Sequence, residues 1–183
     1  MAEFVRQVPD GDNRERLVCR DCGHIAYENP KIVAGAVVEH DGKVLLCRRA
    51  IEPRHGFWTL PAGFMELGET VQEGAQREAR EEAEAEIALD GILGVFSISR
   101  IGQVHIFFRA RFADPANPHF AAGEETLEAQ MFAWDDIPWG NLAFPTVRWT
   151  LDAWRAAAGQ PLGAPVTNPL ADPRGERRIR GEV

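Results

Sequence analysis

The sequence predicts an α/β fold, an α/β/α sandwich on a mixed β-sheet, and three observations predict it. Aliphatic and β-branched runs recur between turn signals, a capped amphipathic helix lies among them, and a second helical stretch follows the last run. Residues 32–39 (IVAGAVVE) and 44–49 (VLLCRR) flank His40-Asp41-Gly42-Lys43, whose Asp-Gly pair signals a β-hairpin. A Gly- and Pro-punctuated loop containing Trp58-Thr59-Leu60-Pro61-Ala62-Gly63 occupies 53–68. Thr70 then starts a helix to about Glu84. Thr70 is its N-cap, Glu73 three residues on completes a capping box, and Ala75, Ala79 and Ala83 form a small-residue stripe suited to close packing on a sheet. Further strands are expected at 91–100, 105–112 and 129–134, the last after the acidic loop 123–128, and a second helix at 146–158.

The organisation that follows is an N-terminal arm over 1–30, one globular domain over 31–158, and a tail over 159–183. The tail is rich in Pro, Gly and Arg, including Arg174, Arg177, Arg178 and Arg180, and reads as flexible or loosely docked. At 183 residues with 45% hydrophobic and 26% charged content, the chain holds one ordinary core. A formal net charge of −8 argues against general attraction to nucleic acid or to anionic membranes, both of which need a basic surface. No signal pattern and no apolar run of roughly 20 residues is present, so a cytoplasmic location is the expectation. The three cysteines suit a reducing compartment: Cys19 and Cys22 have metal-knuckle or redox spacing, and Cys47 sits in an apolar strand as a core residue.

The chemistry concentrates in Arg77-Glu78-Ala79-Arg80-Glu81-Glu82. At about 3.6 residues per turn, Glu78, Glu81 and Glu82 fall on neighbouring parts of one helix face. Like charges at that spacing disfavour the helix by about 0.2–0.5 kcal/mol per pair unless something compensates. Cations reverse the sign, and an all-oxygen set suits Mg²⁺ or Mn²⁺. On the helix alone a solvated charged face, with Arg77 and Arg80 in ordinary ion pairs, is the commoner explanation. The context changes this: the pattern Gly63-x5-Glu69-x7-Arg77-Glu78-Ala79-x-Glu81-Glu82 fixes six polar or glycine positions over 20 residues.

That pattern closely resembles the box of the Nudix hydrolase family. The resemblance implies Glu78 and Glu82 as principal metal ligands, Glu81 as a further or water-mediated ligand, and a backbone carbonyl from Gly63. It implies that Glu69 and Arg77 brace the loop against the helix. Where the family usually has glycine and then an aliphatic residue, this chain has Glu84 and Ala85, which bears on how the helix ends. A further carboxylate from outside the box, acting as general base, is expected in the acidic loop, with Glu128 first and Glu124 and Glu125 as competitors. The implied reaction is metal-assisted attack of water on phosphorus, giving two monophosphates.

Residues outside the box choose the substrate. The stretch from LLCRRAIEPRHGFWTLPAGFMELGET, with GQVHIFFRAR, GEETLE and LAFPTVRWTL, resembles Nudix proteins with an N-terminal zinc ribbon linked to ADP-ribose and FAD hydrolysis, over roughly residues 15–155. Arg48, Arg49, Arg54, Gln103, His105 and Arg109 are candidates for holding phosphates or base, although a structural ion pair is the commoner use of a strand arginine. The signature typical of NADH-type pyrophosphatases is absent. Cys19 and Cys22 match half of a four-cysteine ribbon, leaving a tetrahedral zinc two ligands short unless His24 or a second subunit contributes; a degenerate ribbon without zinc is favoured. The alternatives are hydrolysis of non-standard nucleoside triphosphates and a non-catalytic nucleotide-sensing module. Homodimers are frequent in the family, and Trp134, Trp139, Phe144 and Trp149 offer aromatic area, whose first use is core packing.

Overall fold

In the computed structural model residues 2–172 are described, and they form two compact units divided at Pro30/Lys31. The first unit is a small antiparallel sheet of β1 (Phe4–Gln7), β2 (Arg16–Cys19) and β3 (Ile25–Ala26), in the order β1-β2-β3. Cys19 lies at the end of β2, where its N–H donates to the His24 carbonyl and the Gly23 N–H donates back to the Cys19 carbonyl, closing a tight knuckle.

The second unit is a mixed seven-stranded sheet with one helix on each face. Its strands are β4 (Lys31–His40), β5 (Lys43–Arg49), β6 (Trp58–Thr59), β7 (Ala62–Phe64), β8 (Ile87–Ile98), β9 (Gln103–Phe112) and β10 (Thr126–Ala133). The main path runs β10-β5-β4-β9-β8, with β6 paired to β5 and β7 to β4. β4 and β9 are parallel; the other pairs are antiparallel. Helices α1 (Val71–Ala83) and α2 (Pro145–Ala156) cover the sheet, so the predicted α/β/α sandwich is present.

Alternation along β4 shows how one strand serves two cores. Val37 joins the cluster on the α2 side with Phe96, Phe107, Trp149 and Trp154, while Ala34, Ala36 and Val38 join the α1 side with Ala75, Ala79 and Ala83. The alanine stripe of α1 thus meets alanines of β4, and small residues on both sides let helix and sheet approach closely. Large rings fill the opposite face, where α2 carries Trp149 and Trp154 inward.

The Asp41-Gly42 turn forms as expected, with positive φ at both residues. The hairpin it joins is not a long ladder: β4 and β5 pair only at Glu39↔Val44 and His40↔Lys43. Beyond that they part, and β6 and β7 pair with the separated edges. The parting opens space at the end of the sheet where β4 and β9 begin and β5 and β8 finish. Within the tail expected to be flexible or loosely docked, residues 166–172 are docked on the sheet and α2. Val166 bridges to Gly94, Asn168 exchanges two hydrogen bonds of 2.8 Å with the Ser97 backbone, and Asp172 accepts from Trp149 Nε1 at 2.7 Å. Its four named arginines lie outside the described residues.

Candidate active site

Two local features build the carboxylate helix. Thr70 Oγ1 accepts from the Glu73 N–H at 3.2 Å and the Glu73 carboxylate accepts from the Thr70 N–H at 2.7 Å, so the capping box is complete. At the far end Glu84 takes the left-handed conformation (φ 48°) usually given to glycine, and the Ala85 N–H donates to the Ala79 carbonyl. The departure from the family pattern at 84 and 85 therefore leaves the helix ending where expected.

Arg77 organises the approach to the helix. Its guanidinium makes a two-pronged contact with Glu69 (3.0 and 2.9 Å) and donates to the Phe64 carbonyl at 2.9 Å, to Glu78 at 2.8 Å and to Glu81 at 2.9 Å. Glu69 in turn accepts from the Glu66 N–H at 2.7 Å. The guanidinium, with that N–H, holds the Glu69 carboxyl down to about 2. Loop 64–69 and α1 are fastened together by this fork.

Glu78 and Glu82 point inward and are 8% and 7% exposed. Burial raises the Glu78 carboxyl above its ordinary range and pushes Glu82 up to about 8, against the pull of an Ala62 N–H that donates to Glu82 at 2.9 Å. Gly63 lies against Glu78 so closely that a Cβ there would overlap the carboxylate. Glu81 leans outward on Arg77, its side chain 58% exposed. Arg77 thus stands between Glu78 and Glu81, and no three acidic, histidine or cysteine side chains gather at one point among the described residues. The donors that do face one another are hard oxygens in a low-dielectric setting. Two carboxylates whose charged forms are disfavoured by burial fit a hard divalent cation, which would reverse that penalty.

These groups line one side of a cavity of about 740 Å³ at the parted end of the sheet. The other side is formed by Val33, Ile98, Phe107, Phe144 and Val147. Glu124 and Glu125 reach the cavity because their loop is seated on the end of α1: Gly123 N–H donates to the Glu82 carbonyl at 3.1 Å and Ala121 N–H to the Ala83 carbonyl at 2.9 Å. Glu125 is close enough to raise both the Glu78 and Glu82 carboxyls. Glu128 does not line the cavity; it sits on β10 beside Arg48 at 3.7 Å, and both are about half exposed. A register shift between Thr126 and Glu128 separates the loop carboxylates that line the cavity from the one that does not, a feature the residue types do not announce.

The basic candidates divide likewise. Arg49 lines the cavity, donates to the Pro53 carbonyl at 2.9 Å, lies over Phe144, and favours the charged form of Glu82. Arg48 and Arg54 lie outside it, Arg54 over Phe57. Arg109 is structural, held by Asp90 at 3.3 Å and donating to the Gln160 carbonyl at 2.8 Å. Gln103 and His105 line the cavity together, with Thr146 and Arg100, which sequence reasoning did not select. Cys47 is buried in the core and burial pushes its thiol up, as expected of a packing residue.

A NUDIX domain model matches residues 29–151, the part of the chain that contains the cavity. The chain belongs to the Nudix hydrolase family. A second Nudix model, describing the N-terminal zinc-ribbon part, matches residues 2–28. A crystal structure of a NUDIX hydrolase from Nitrosomonas europaea is 40% identical, superposes with a TM-score of 0.83, and covers 91% of this chain and 94% of its own. An ADP-ribose pyrophosphatase of Methanocaldococcus jannaschii is 34% identical over 119 residues, 64% of this chain and 69% of that protein. The NAD-capped RNA hydrolase NudC of Vibrio atlanticus is 29% identical over 155 residues, 80% of this chain; the chain spans about half that protein's length (55%). By class it is a Nudix pyrophosphohydrolase.

In this Nudix chain the ribbon half is sparse in ligands. Cys19 is buried and Cys22 exposed; backbone N–H groups of Cys22 and Asp21 lower the Cys19 thiol below its ordinary value, as a knuckle does. Among the described residues no third ligand joins the two thiols. No described helix is long and apolar enough to cross a membrane.

Proposed function

We propose that the protein hydrolyses the pyrophosphate link of a nucleoside diphosphate joined to a second group, with ADP-ribose as first candidate and FAD as second, and releases two monophosphates. The observation that carries this is the make-up of the cavity lining: the buried carboxylates Glu78 and Glu82 with Arg49 and Arg77, together with an apolar set of Val33, Ile98, Phe107, Phe144 and Val147. Such a space suits a ligand with a phosphate-rich middle and an uncharged end. The likeness to the Methanocaldococcus enzyme supports ADP-ribose, and the likeness to NudC keeps nicotinamide-containing relatives in view.

Glu78 and Glu82, with the Gly63 carbonyl, would hold Mg²⁺ or Mn²⁺, and Glu81 would contribute on release from Arg77. A divalent cation bound there would neutralise phosphate charge and ready water for attack. Glu125, which like Glu124 lines the cavity and which also acts on both Glu78 and Glu82, would take the proton of that water in preference to Glu128, which does not line it. Arg49, which lines the same cavity, would meet the phosphates, and Arg77 with Glu69 would fix where Glu78 stands. The intact ligand set disfavours the sensing module, for which loss of a carboxylate is the expected mark.

The test is a panel of ADP-ribose, FAD, NADH, a diadenosine polyphosphate and nucleoside triphosphates with Mg²⁺ or Mn²⁺, using wild type and Glu82→Gln and following monophosphates by chromatography. The expected result is metal-dependent cleavage of ADP-ribose or FAD that falls by on the order of a thousandfold in Glu82→Gln. Binding without turnover of any compound would replace the hydrolase reading with the sensor. Preferred cleavage of triphosphates would move the substrate class.

A further inference from the structure

Gln103, His105 and Thr146 stand on the part of the cavity that the carboxylates do not use. His105 pairs with Val33 across one strand boundary and Val33 pairs with Phe64 across the next. It therefore lies about 10 Å, two strand spacings, from the β7 backbone that abuts Glu78. His105 is 8% exposed and Thr146 2%, yet His105 Nδ1 and Thr146 Oγ1 are buried with no hydrogen-bond partner. Buried polar atoms are nearly always paired, because an unpaired one forfeits its hydration for nothing. Both atoms belong to residues that line one cavity, and a ligand group seated there would supply the missing partners once a small side-chain rotation uncovers them.

The chemistry of that partner can be narrowed. His105 Nε2 faces Gln103 Oε1 at 2.9 Å. A carboxamide oxygen only accepts, so with this amide orientation Nε2 carries the proton and Nδ1 presents a lone pair. Burial holds the ring neutral, its pKa down at about 4. A bare acceptor gains nothing from a phosphate oxygen, which is also an acceptor. It needs an N–H or O–H, and the neighbouring Val33, Ile98 and Phe107 need that donor to belong to an uncharged, apolar-faced group.

We propose that His105 and Thr146 form the specificity point of this enzyme, with His105 Nδ1 accepting a hydrogen bond from a neutral donor on the uncharged end of the substrate and Thr146 Oγ1 completing the contact. The donor is either an amino group of the base or a hydroxyl of its sugar. This rests on reading the cavity as a phosphoanhydride site, and it separates His105 from the phosphate-holding role that Arg49 retains.

The experiment compares wild type, His105→Phe and Thr146→Val on ADP-ribose, on its counterpart with hypoxanthine for adenine, and on its counterpart with 2′-deoxyadenosine, with melting temperatures alongside. Each variant should lower kcat/KM for ADP-ribose about tenfold, mostly through KM, the worth of one well-placed hydrogen bond. Thr146→Val should not lower Tm, since it removes an unpaired buried polar atom and keeps its approximate shape, and His105→Phe should lower it by no more than the loss of the part-buried Nε2–Gln103 bond, about 2–4 °C. If the amine is the donor, the hypoxanthine counterpart is already poor in wild type and insensitive to His105→Phe; if the hydroxyl is, the deoxy counterpart behaves so. Values within twofold of wild type in both variants, or a fall in Tm with KM unchanged, would overturn the proposal. Should wild type cleave none of the three, calorimetric binding of the same compounds decides: binding weakened tenfold in His105→Phe keeps the specificity point and discards the hydrolase reading, and no binding discards both.

Discussion

Helices α1 and α2 close one cavity from opposite faces of the sheet and are held there by opposite means. α1 is fastened by polar detail: a complete capping box, the five-way Arg77 fork, and inward carboxylates whose burial is costly. α2 has no side-chain cap at Phe144, opens on Pro145, and is held by buried Trp149, Leu151 and Trp154. The difference teaches where each part of the function can sit. Charge chemistry needs positions fixed to a fraction of an ångström, which directional hydrogen bonds supply. Recognition of an uncharged group needs an apolar wall with one or two polar atoms, which packing supplies.

Removing the fork should have the largest effect on the molecule. Arg77→Met leaves Glu69 and Glu78 beside one another without their cation, so stability should fall by about 3 kcal/mol, a Tm drop of about 6–12 °C by calorimetry. Arg77→Lys keeps the charge but not the two-pronged contact with Glu69, and should recover only part of the loss. A full recovery with lysine would show that charge alone fastens the loop.

The loop carboxylates sharpen it next. Glu125→Gln should lower kcat by about a hundredfold, at the lower end of what a general base contributes, while Glu128→Gln stays within twofold of wild type. Equal effects would mean that the seating of the loop on α1 does not select the base. The pair also shows how far the sequence could be read. Helix α1, its cap, its alanine stripe and the Asp41-Gly42 turn were legible because each is set by residues a few positions apart. The choice between Glu125 and Glu128 depends on a bulge and on two hydrogen bonds between loop and helix, so composition alone favours neither. Arg48 and Arg49 are adjacent in sequence, and strand alternation sends only Arg49 to the cavity. Thr146 was invisible because its meaning is a missing partner, and no residue pattern announced the contacts of Val166, Asn168 and Asp172 with Gly94, Ser97 and Trp149.

On the α2 side the sensitive quantity is pH. Burial depresses His105 from 6.5 to about 4, so between those values the unfolded chain binds a proton that the folded chain refuses. Stability should therefore fall as pH drops from about 6.5 to 4, by about 2 kcal/mol after allowance for residual solvent contact. Denaturant unfolding at pH 7 and pH 4.5 measures it, and the wild-type slope minus that of His105→Phe isolates this group from the carboxylates titrating in the same range. Identical slopes would place the ring in contact with water.

The smallest effect returns to the end of α1, where this chain departs from its family. Glu84 sits at φ 48°, a conformation in which a Cβ crowds the following carbonyl, whereas glycine adopts it freely. Among the described residues its carboxylate has one exposed partner, His119 at 3.6 Å, so little is lost with the side chain. Glu84→Gly should stabilise the protein by about 0.5–1 kcal/mol, raising Tm by about 1–4 °C, with turnover unchanged because residue 84 does not line the cavity. A lower Tm would mean that the His119 contact outweighs the backbone strain, and that the last turn of α1 is held by a charge pair and not by its hydrogen-bonded cap.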